Sequence, residues 1–366
     1  MTAPVAAPAR KTVYIVQVLR GIAAAAVAVY HTHLILAKPE YGGVAVFGSV
    51  AGYGWLGVNF FFVLSGFIIL LAHFRDIGQP ARAGPYAWRR FVRVYPIYWI
   101  FTLAYMAAAT VGLGSPSFGW DFPNLLSTFT LIVFDPEPQP PLQVAWTLFF
   151  EIIFYIAFLA LIVNRRFGLV VFAAWPVAIL VNALVLGRTN FGPFNMWNIY
   201  FLFGMGAYLA YRHAAGRWMM PMLAVGGVLL VALFALGLVP TRMVEAQHDP
   251  VLLLYLAGVF ALLLASATLF ERDRALRFPA PLLLLGDASY SVYLIHSPVL
   301  SAFATLKQKL AADLLPAWAT FAVALIACLT AGVLAHLLIE KPVLRLVHLR
   351  VGRLNPPASA ASRRGA

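Results

Sequence analysis

Charged and titratable side chains lie in the first apolar segment of the chain, residues 13–36, which is long enough to cross a bilayer. Arg20 and His31 are 11 positions apart, so on an α-helix they share one face, about 16 Å apart along the axis. His33 lies about 200° around the helix from His31. Ionisable side chains in a membrane usually face a cavity or a partner, so we predict that Arg20 and His31 line one cavity. A neutral imidazole in that place is suited to act as a general base near physiological pH.

Two further polar residues are predicted to lie near His31. Glu151 and Asn59 fall inside later apolar segments, at a similar depth in the membrane when the helical rise is counted from the segment ends. A carboxylate or an amide can hold an imidazole in one orientation. We therefore predict that Glu151 or Asn59 orients His31. The alternative is that His31 is a hydrogen-bonded packing residue.

A cluster of arginines is predicted at the opposite end of the cavity. Arg89, Arg90 and Arg93 lie in WRRFVRVYP at the start of the third apolar segment, and Arg20 lies at the matching depth of the first. We predict that the four guanidinium groups meet there. Two alternatives stay open. Arg20 could form an ion pair with Asp287 or another inner carboxylate, and the other three could be ordinary basic residues flanking a membrane span.

The composition excludes a water-soluble globular protein. Of 366 residues, 62% are hydrophobic and 11% are charged, and the mean hydropathy is +0.86. We therefore predict an all-α bundle that crosses a membrane several times. Runs of about 20 apolar residues predict about ten transmembrane helices, and a shorter apolar piece, 124–134, is predicted to be interfacial or re-entrant. The predicted spans are 13–36, 53–74, 91–113, 144–164, 168–187, 195–211, 218–239, 250–270, 281–304 and 316–339.

The net charge of +13 is explained better by a membrane than by nucleic acid. With the N-terminus inside, the predicted inner segments carry 19 Lys and Arg residues and the outer segments carry 5. This asymmetry predicts that both termini are cytoplasmic. We predict a cytoplasmic lead over 1–12, a membrane domain over 13–345 and a disordered cytoplasmic tail over 346–366.

Six motifs, in order, resemble those of one protein family. They are the Arg20-x10-His31 spacing, GVNFFFVLSGF (57–67), RRFVRVYP (89–96), WTLFFEIIFY (146–155), LGDASYSVYLIH (285–296) and EKP (340–342). The chain is similar to the membrane acyltransferase 3 family of integral-membrane O-acyltransferases, in its stand-alone form. The start VQVLRGIAAAAVAVYH particularly resembles the exopolysaccharide-acetylating branch. Thr147 stands where the family usually has serine.

The resemblance implies transfer of an acyl group, expected to be acetyl, from cytoplasmic acyl-CoA to a hydroxyl of an exported or cell-surface carbohydrate. The reaction would take place at the outer side of a bacterial inner membrane. Acetyl-CoA would be a co-substrate, with no permanently bound cofactor, and the expected partners are acyl-CoA, the carbohydrate and the lipid bilayer. Guanidinium groups suit the phosphates of coenzyme A. The expected catalytic residues are His31, Glu151 and Asn59, and the expected acyl-CoA-binding residues are Arg20, Arg89, Arg90 and Arg93.

Several alternatives stay open. The acceptor could be a lipid, an antibiotic or a peptidoglycan sugar, and the predicted outer loop 114–143 is expected to influence that choice. A transporter or flippase could use the same buried polar residues as an ion or substrate path. Direct transfer and a covalent acyl-His31 intermediate are both possible, and the oligomeric state is open. We predict no metal site, because His31 and His33 do not share a helix face.

Overall fold

A computed structural model describes residues 13–41, 43, 46–110, 118–135, 137–274, 276–309 and 315–354. Within these ranges all regular structure is helical and no strand occurs, which confirms the predicted all-α fold. Helices of eight residues or more are α1 (Tyr14–Leu36), α2 (Leu56–His73), α3 (Ala83–Thr110), α4 (Phe122–Thr130), α5 (Trp146–Val163), α6 (Arg165–Leu180), α7 (Ile199–His213), α8 (Met219–Ala235), α9 (Pro250–Asp273), α10 (Ala280–Asp287), α11 (Ser289–Lys309), α12 (Ala317–Ala335) and α13 (Lys341–Leu354).

Eight helical stretches are long and apolar enough to cross a membrane: Tyr14–Leu36, Gly48–Asp76, Pro80–Thr110, Gln143–Val163, Arg165–Val185, Gly216–Ala235, Pro250–Asp273 and Ala317–Val347. The chain is therefore a multi-pass membrane protein. The other two predicted spans, 195–211 and 281–304, correspond to α7 and to α10 with α11. Whether these also cross, and which side each terminus faces, stay predictions.

The predicted ends of the chain are only partly described. The predicted lead, 1–12, and residues 355–366 lie outside the described residues. Residues 346–354, which we expected to begin a disordered tail, are instead the last turns of α13. The alternation of leucine and valine with basic residues in this segment is typical of an amphipathic helix.

The predicted span 281–304 is wrong as a single helix. The chain forms α10 and α11, which meet at Ala288, where ψ falls to −5°. Short polar residues such as Asp287 and Ser289 compete with the helical backbone for hydrogen bonds. α10 then packs closely on α1, since a Cβ at Gly286 would lie 2.1 Å from the carbonyl oxygen of Gln17.

The piece predicted as interfacial or re-entrant contains α4. Asp121 caps its start by accepting a hydrogen bond from the Asn124 backbone N–H at 3.0 Å. Its last carbonyl groups are satisfied by aromatic side chains of α3, the hydroxyls of Tyr95 and Tyr98 and the indole N–H of Trp99. A helix end inside a bundle needs such partners, so α3 holds α4 in place.

α2 lies at the centre of the bundle and contacts α1 on one side and α7 on the other. Two glycines make these close approaches possible. A Cβ at Gly57 would lie 2.6 Å from the carbonyl oxygen of Ala23 in α1, and one at Gly66 would lie 2.0 Å from that of Phe201 in α7. The motif GVNFFFVLSGF is therefore a packing surface for two neighbouring helices.

Candidate functional site

A pair of histidines lies where α1 contacts α11. The Nε2 atom of His296 is 3.2 Å from the Nδ1 atom of His31, and the ring centroids are 4.8 Å apart. His296 is completely buried. Its own Nδ1 atom is 2.6 Å from the carbonyl oxygen of Tyr293, and His31 Nδ1 is 3.0 Å from that of Val27.

These contacts fix the position of the proton on each neutral ring. A carbonyl oxygen only accepts hydrogen bonds, so the nitrogen that faces it must carry the proton. His296 is therefore protonated at Nδ1 and presents the lone pair of Nε2 to His31. His31 is also protonated at Nδ1, and its Nε2 atom keeps a lone pair with no hydrogen-bond partner among the described residues. That nitrogen is available as a base.

A cavity with about 800 Å³ of empty space lies between α1, α2, α3, α5 and α11. Three of the four predicted arginines line it together with one predicted carboxylate. These residues are Arg20, Arg90, Arg93 and Glu151. The structure therefore brings most of the predicted donor-binding set to one place.

Two of these arginines have no direct salt-bridge partner among the described residues. Neither Arg20 nor Arg90 forms an ion pair or side-chain hydrogen bond within the described part of the chain, and the Nε atom of Arg90 is buried without a partner. The alternative ion pair of Arg20 with Asp287 is not formed, because Asp287 instead accepts a hydrogen bond from Gln17 at 2.7 Å. The unpaired guanidinium groups leave N–H donors for an anionic ligand.

Arg93 is held differently. Its Nη1 atom is 2.8 Å from the Oε1 atom of Glu340, a carboxylate that is 1% exposed. Ser291 and His336 contact the other oxygen of Glu340, at 2.8 and 2.9 Å. Glu340 is part of the EKP motif, but no partner was predicted for it from the sequence, although a carboxylate directly after an apolar segment was a signal that it has one.

A second cavity, with about 840 Å³ of empty space, opens at the arginine end of the first. Arg20 and Arg93 line both cavities, and the second also contains Lys341 and Arg345. A long ligand with anionic groups at one end could thus lie across the arginines, with its anionic end among these basic side chains.

The other end of the first cavity lies towards the histidines. Tyr293 lines the cavity, and its ring centroid is 5.7 Å from that of His296. Its hydroxyl donates to the carbonyl oxygen of Val144 and contacts Thr147 Oγ1, each at 2.9 Å. Thr147, at the position where the family usually has serine, thus helps to hold the aromatic side chain between the cavity and the histidine pair.

Asn59 and Glu151 do not contact His31, so the predicted orienting role is wrong for both. The Nδ2 atom of Asn59 donates to the hydroxyl of Tyr200 at 2.6 Å. Glu151 accepts a hydrogen bond from Tyr155 and lies with the arginines. Depth in the membrane was predicted from the sequence, but the direction in which each helix face points was not. His296 takes the place we assigned to these residues.

Arg89 does not line the cavity, which corrects the predicted cluster of four. Its Nη2 atom is 3.7 Å from the Oδ2 atom of Asp76, which also accepts from His73 Nδ1 at 2.7 Å. Because Arg89 directly precedes Arg90 on α3, it points about 100° away around the helix.

Comparisons with known proteins show the family to which the chain belongs. A family model described as an acyltransferase domain matches residues 13–337. The exopolysaccharide production protein ExoZ of Rhizobium meliloti (strain 1021) is 32% identical over 309 residues, which are 80% of this chain and 90% of the relative. No solved structure matches the chain. The matched range includes the helices that carry Arg20, Arg90, His31 and His296. The chain belongs to the membrane acyltransferase 3 family.

Proposed function

We propose that this protein transfers an acyl group, in the first place acetyl, from acyl-CoA to a hydroxyl of an exopolysaccharide at the outer side of a bacterial inner membrane. Membership of the acyltransferase family and the similarity to an exopolysaccharide production protein support the reaction class and the acceptor. The coenzyme A donor is proposed from the chemistry of the cavity.

One observation carries the proposal. Arg20 and Arg90 offer unpaired guanidinium groups at one end of a cavity whose other end approaches the His31–His296 pair. Phosphates of coenzyme A would bind at the arginines. Arg20 and His31 are about 16 Å apart along α1, a separation that the extended pantetheine arm can span. The thioester would then lie near His31.

In the proposed reaction the acceptor oxygen attacks the thioester carbonyl carbon while Nε2 of His31 takes the hydroxyl proton. A carbon–oxygen bond forms and the carbon–sulfur bond breaks. The proton then passes from His31 to the departing thiolate, which leaves as free coenzyme A. His296 accepts from His31 Nδ1–H throughout, so His31 keeps Nε2 turned to the reaction. A covalent acyl-His31 intermediate would use the same nitrogen.

The test is thiol release by the purified protein in lipid nanodiscs supplied with acetyl-CoA. We expect release to rise when oligosaccharides from the de-O-acylated exopolysaccharide of the source organism are added, with one acyl group transferred per thiol. A transporter or flippase would consume no thioester under these conditions. Absence of acceptor-dependent thiol release would overturn the proposal.

A further inference from the structure

A third cavity, which we call the aromatic pocket, lies on loops predicted to face the outer side. It holds about 1490 Å³ of empty space between the segment before α5, the start of α5, the loop between α6 and α7, and residues 243–247. Its lining combines aromatic rings with exposed amide and hydroxyl groups. The main polar members are Glu137, Gln139, Thr189, Asn190 and Gln247, and the main aromatic members are Trp146, Phe150, Phe191 and Trp197.

The tryptophans of the pocket differ from the other buried or half-buried tryptophans. The chain has nine tryptophans, of which four are exposed. Of the remaining five, Trp55, Trp99 and Trp175 donate their indole N–H groups to carbonyl oxygens at 3.0, 2.9 and 2.6 Å. The indole N–H groups of Trp146 and Trp197 have no acceptor among the described residues. Both residues line the aromatic pocket. Neither indole nitrogen is among the buried polar atoms that lack a partner, so both N–H groups are accessible and can donate to a ligand or to water in the pocket.

The near absence of charged residues in the pocket indicates which chemical class of ligand it binds. Among the described residues that line the pocket, Glu137 is the only charged residue, and none is Lys or Arg. An acyl-CoA, with its phosphates, is therefore a poor occupant. Indole rings stack on the C–H faces of sugar rings, while amides and hydroxyls exchange hydrogen bonds with sugar hydroxyls. The combination fits a neutral carbohydrate.

The pocket adjoins the candidate catalytic site on two sides. Phe62 lines the arginine cavity, and its ring centroid is 6.2 Å from that of Trp146 and 6.1 Å from that of Trp197. The backbone N–H of Met243, which lines the pocket, donates to the hydroxyl of Tyr30 at 3.2 Å. Tyr30 in turn packs edge-on against His31, with ring centroids 5.2 Å apart. One layer of side chains thus separates the pocket from both.

We propose that the aromatic pocket is the acceptor subsite, in which Trp146 and Trp197 bind neutral sugar rings of the glycan that is acylated. This inference rests on the proposed function for the identity of the glycan. It adds a binding site on Trp146, Trp197 and the 187–198 loop, none of which the sequence motifs had pointed to as acceptor-binding. Loop 114–143, expected to influence acceptor choice, contributes Glu137 and Gln139.

The test measures binding separately from turnover. Protein in nanodiscs is titrated by calorimetry with oligosaccharides from the de-O-acylated exopolysaccharide of the source organism, without any acyl-CoA. We expect Trp146→Phe, which keeps an aromatic ring but removes the indole N–H, to weaken binding about 3–10-fold. Asn190→Ala changes an exposed loop side chain, so we expect folding to be unaffected. We expect a similar loss of binding from it.

The matched control is Trp218→Phe, the same change at a tryptophan that is 50% exposed and does not line the pocket. It should bind the oligosaccharide like the wild type. Acetyl-CoA affinity should be the same in all three variants. If the wild type binds but the Trp146 and Asn190 variants bind equally well, the pocket assignment is wrong while the proposed function stands. If the wild type binds no oligosaccharide, the acceptor in the proposed function is wrong and the subsite fails with it.

Discussion

The Nε2 atom of His296 lies 3.2 Å from the Nδ1 atom of His31, although 265 positions separate the two residues in the chain. The contact joins α1 to α11 and places a hydrogen-bond acceptor beside the candidate base. His31 Nδ1–H is shared between this acceptor and the carbonyl oxygen of Val27. His296 is therefore a positioning residue, which acts on the reaction through His31.

We expect His296→Ala to lower kcat about 10–100-fold and to leave the KM for acetyl-CoA unchanged, because only the orientation of His31 is affected. His296→Gln should recover part of the rate, since its side-chain oxygen can accept from His31. Initial rates in membranes at matched protein levels give both constants. A purely structural role would instead reduce the folded fraction and leave kcat per folded protein intact.

The two histidines of α1 provide a direct comparison. His31→Ala should lower acyl transfer by roughly 10²–10⁴-fold, the usual contribution of a positioned general base, while donor binding is retained. His33→Ala should stay within about tenfold of the wild type, because His33 lies about 200° around the helix. Acceptor acylation measured at equal protein levels compares them. An active His31→Ala variant would exclude the proposed mechanism.

Donor affinity should depend on the unpaired arginines. Arg20→Ala and Arg90→Ala each remove a charge-assisted phosphate contact, which is worth about 1.5–3 kcal/mol, or roughly 10- to 150-fold in affinity. Arg89→Ala is the matched control, since Arg89 faces Asp76 rather than the cavity. Calorimetry with a non-hydrolysable acetyl-CoA analogue measures the donor affinity of the three variants. Equal affinities in all of them would contradict the phosphate site.

Arg93 should behave differently from Arg90, because its loss leaves the buried carboxylate of Glu340 without its cation. Breaking a buried ion pair from one side costs about 3–5 kcal/mol. We therefore expect Arg93→Ala to unfold at a lower temperature than Arg90→Ala. Thermal unfolding in detergent compares the two. A Glu340→Gln change in the same background should recover part of the loss, since it removes the unpaired charge.

Topology can be checked with reporter fusions. Fusions within 118–143 should report the outer side and fusions at 272–277 the cytoplasmic side, because the basic residues are so unevenly divided between the predicted segments. The opposite result would reverse the predicted orientation.

The sequence predictions were accurate where they depended on the geometry of one continuous helix. Arg20 and His31 lie on one continuous helix, so their relative position needed only helical geometry. Asn59 and Glu151 lie on other helices, and the rotation of those helices depends on close contacts such as that of Gly57 with α1. His296 was within a quoted motif, but its pairing with His31 depends on how α11 packs against α1, which no spacing along the chain reveals.

The aromatic caps on α4 have a consequence for communication across the membrane. Arg90 and Arg93 lie on α3, the same helix whose side chains hold the carbonyl groups of α4. On α4, Asn124 exchanges hydrogen bonds with the backbone of Gln139, in the wall of the aromatic pocket, at 2.7 and 3.0 Å. A continuous series of hydrogen bonds therefore joins α3, α4 and the wall of the aromatic pocket. A displacement of α3 would be transmitted to that wall through these hydrogen bonds, and any resulting coupling between donor and acceptor affinities would be reciprocal.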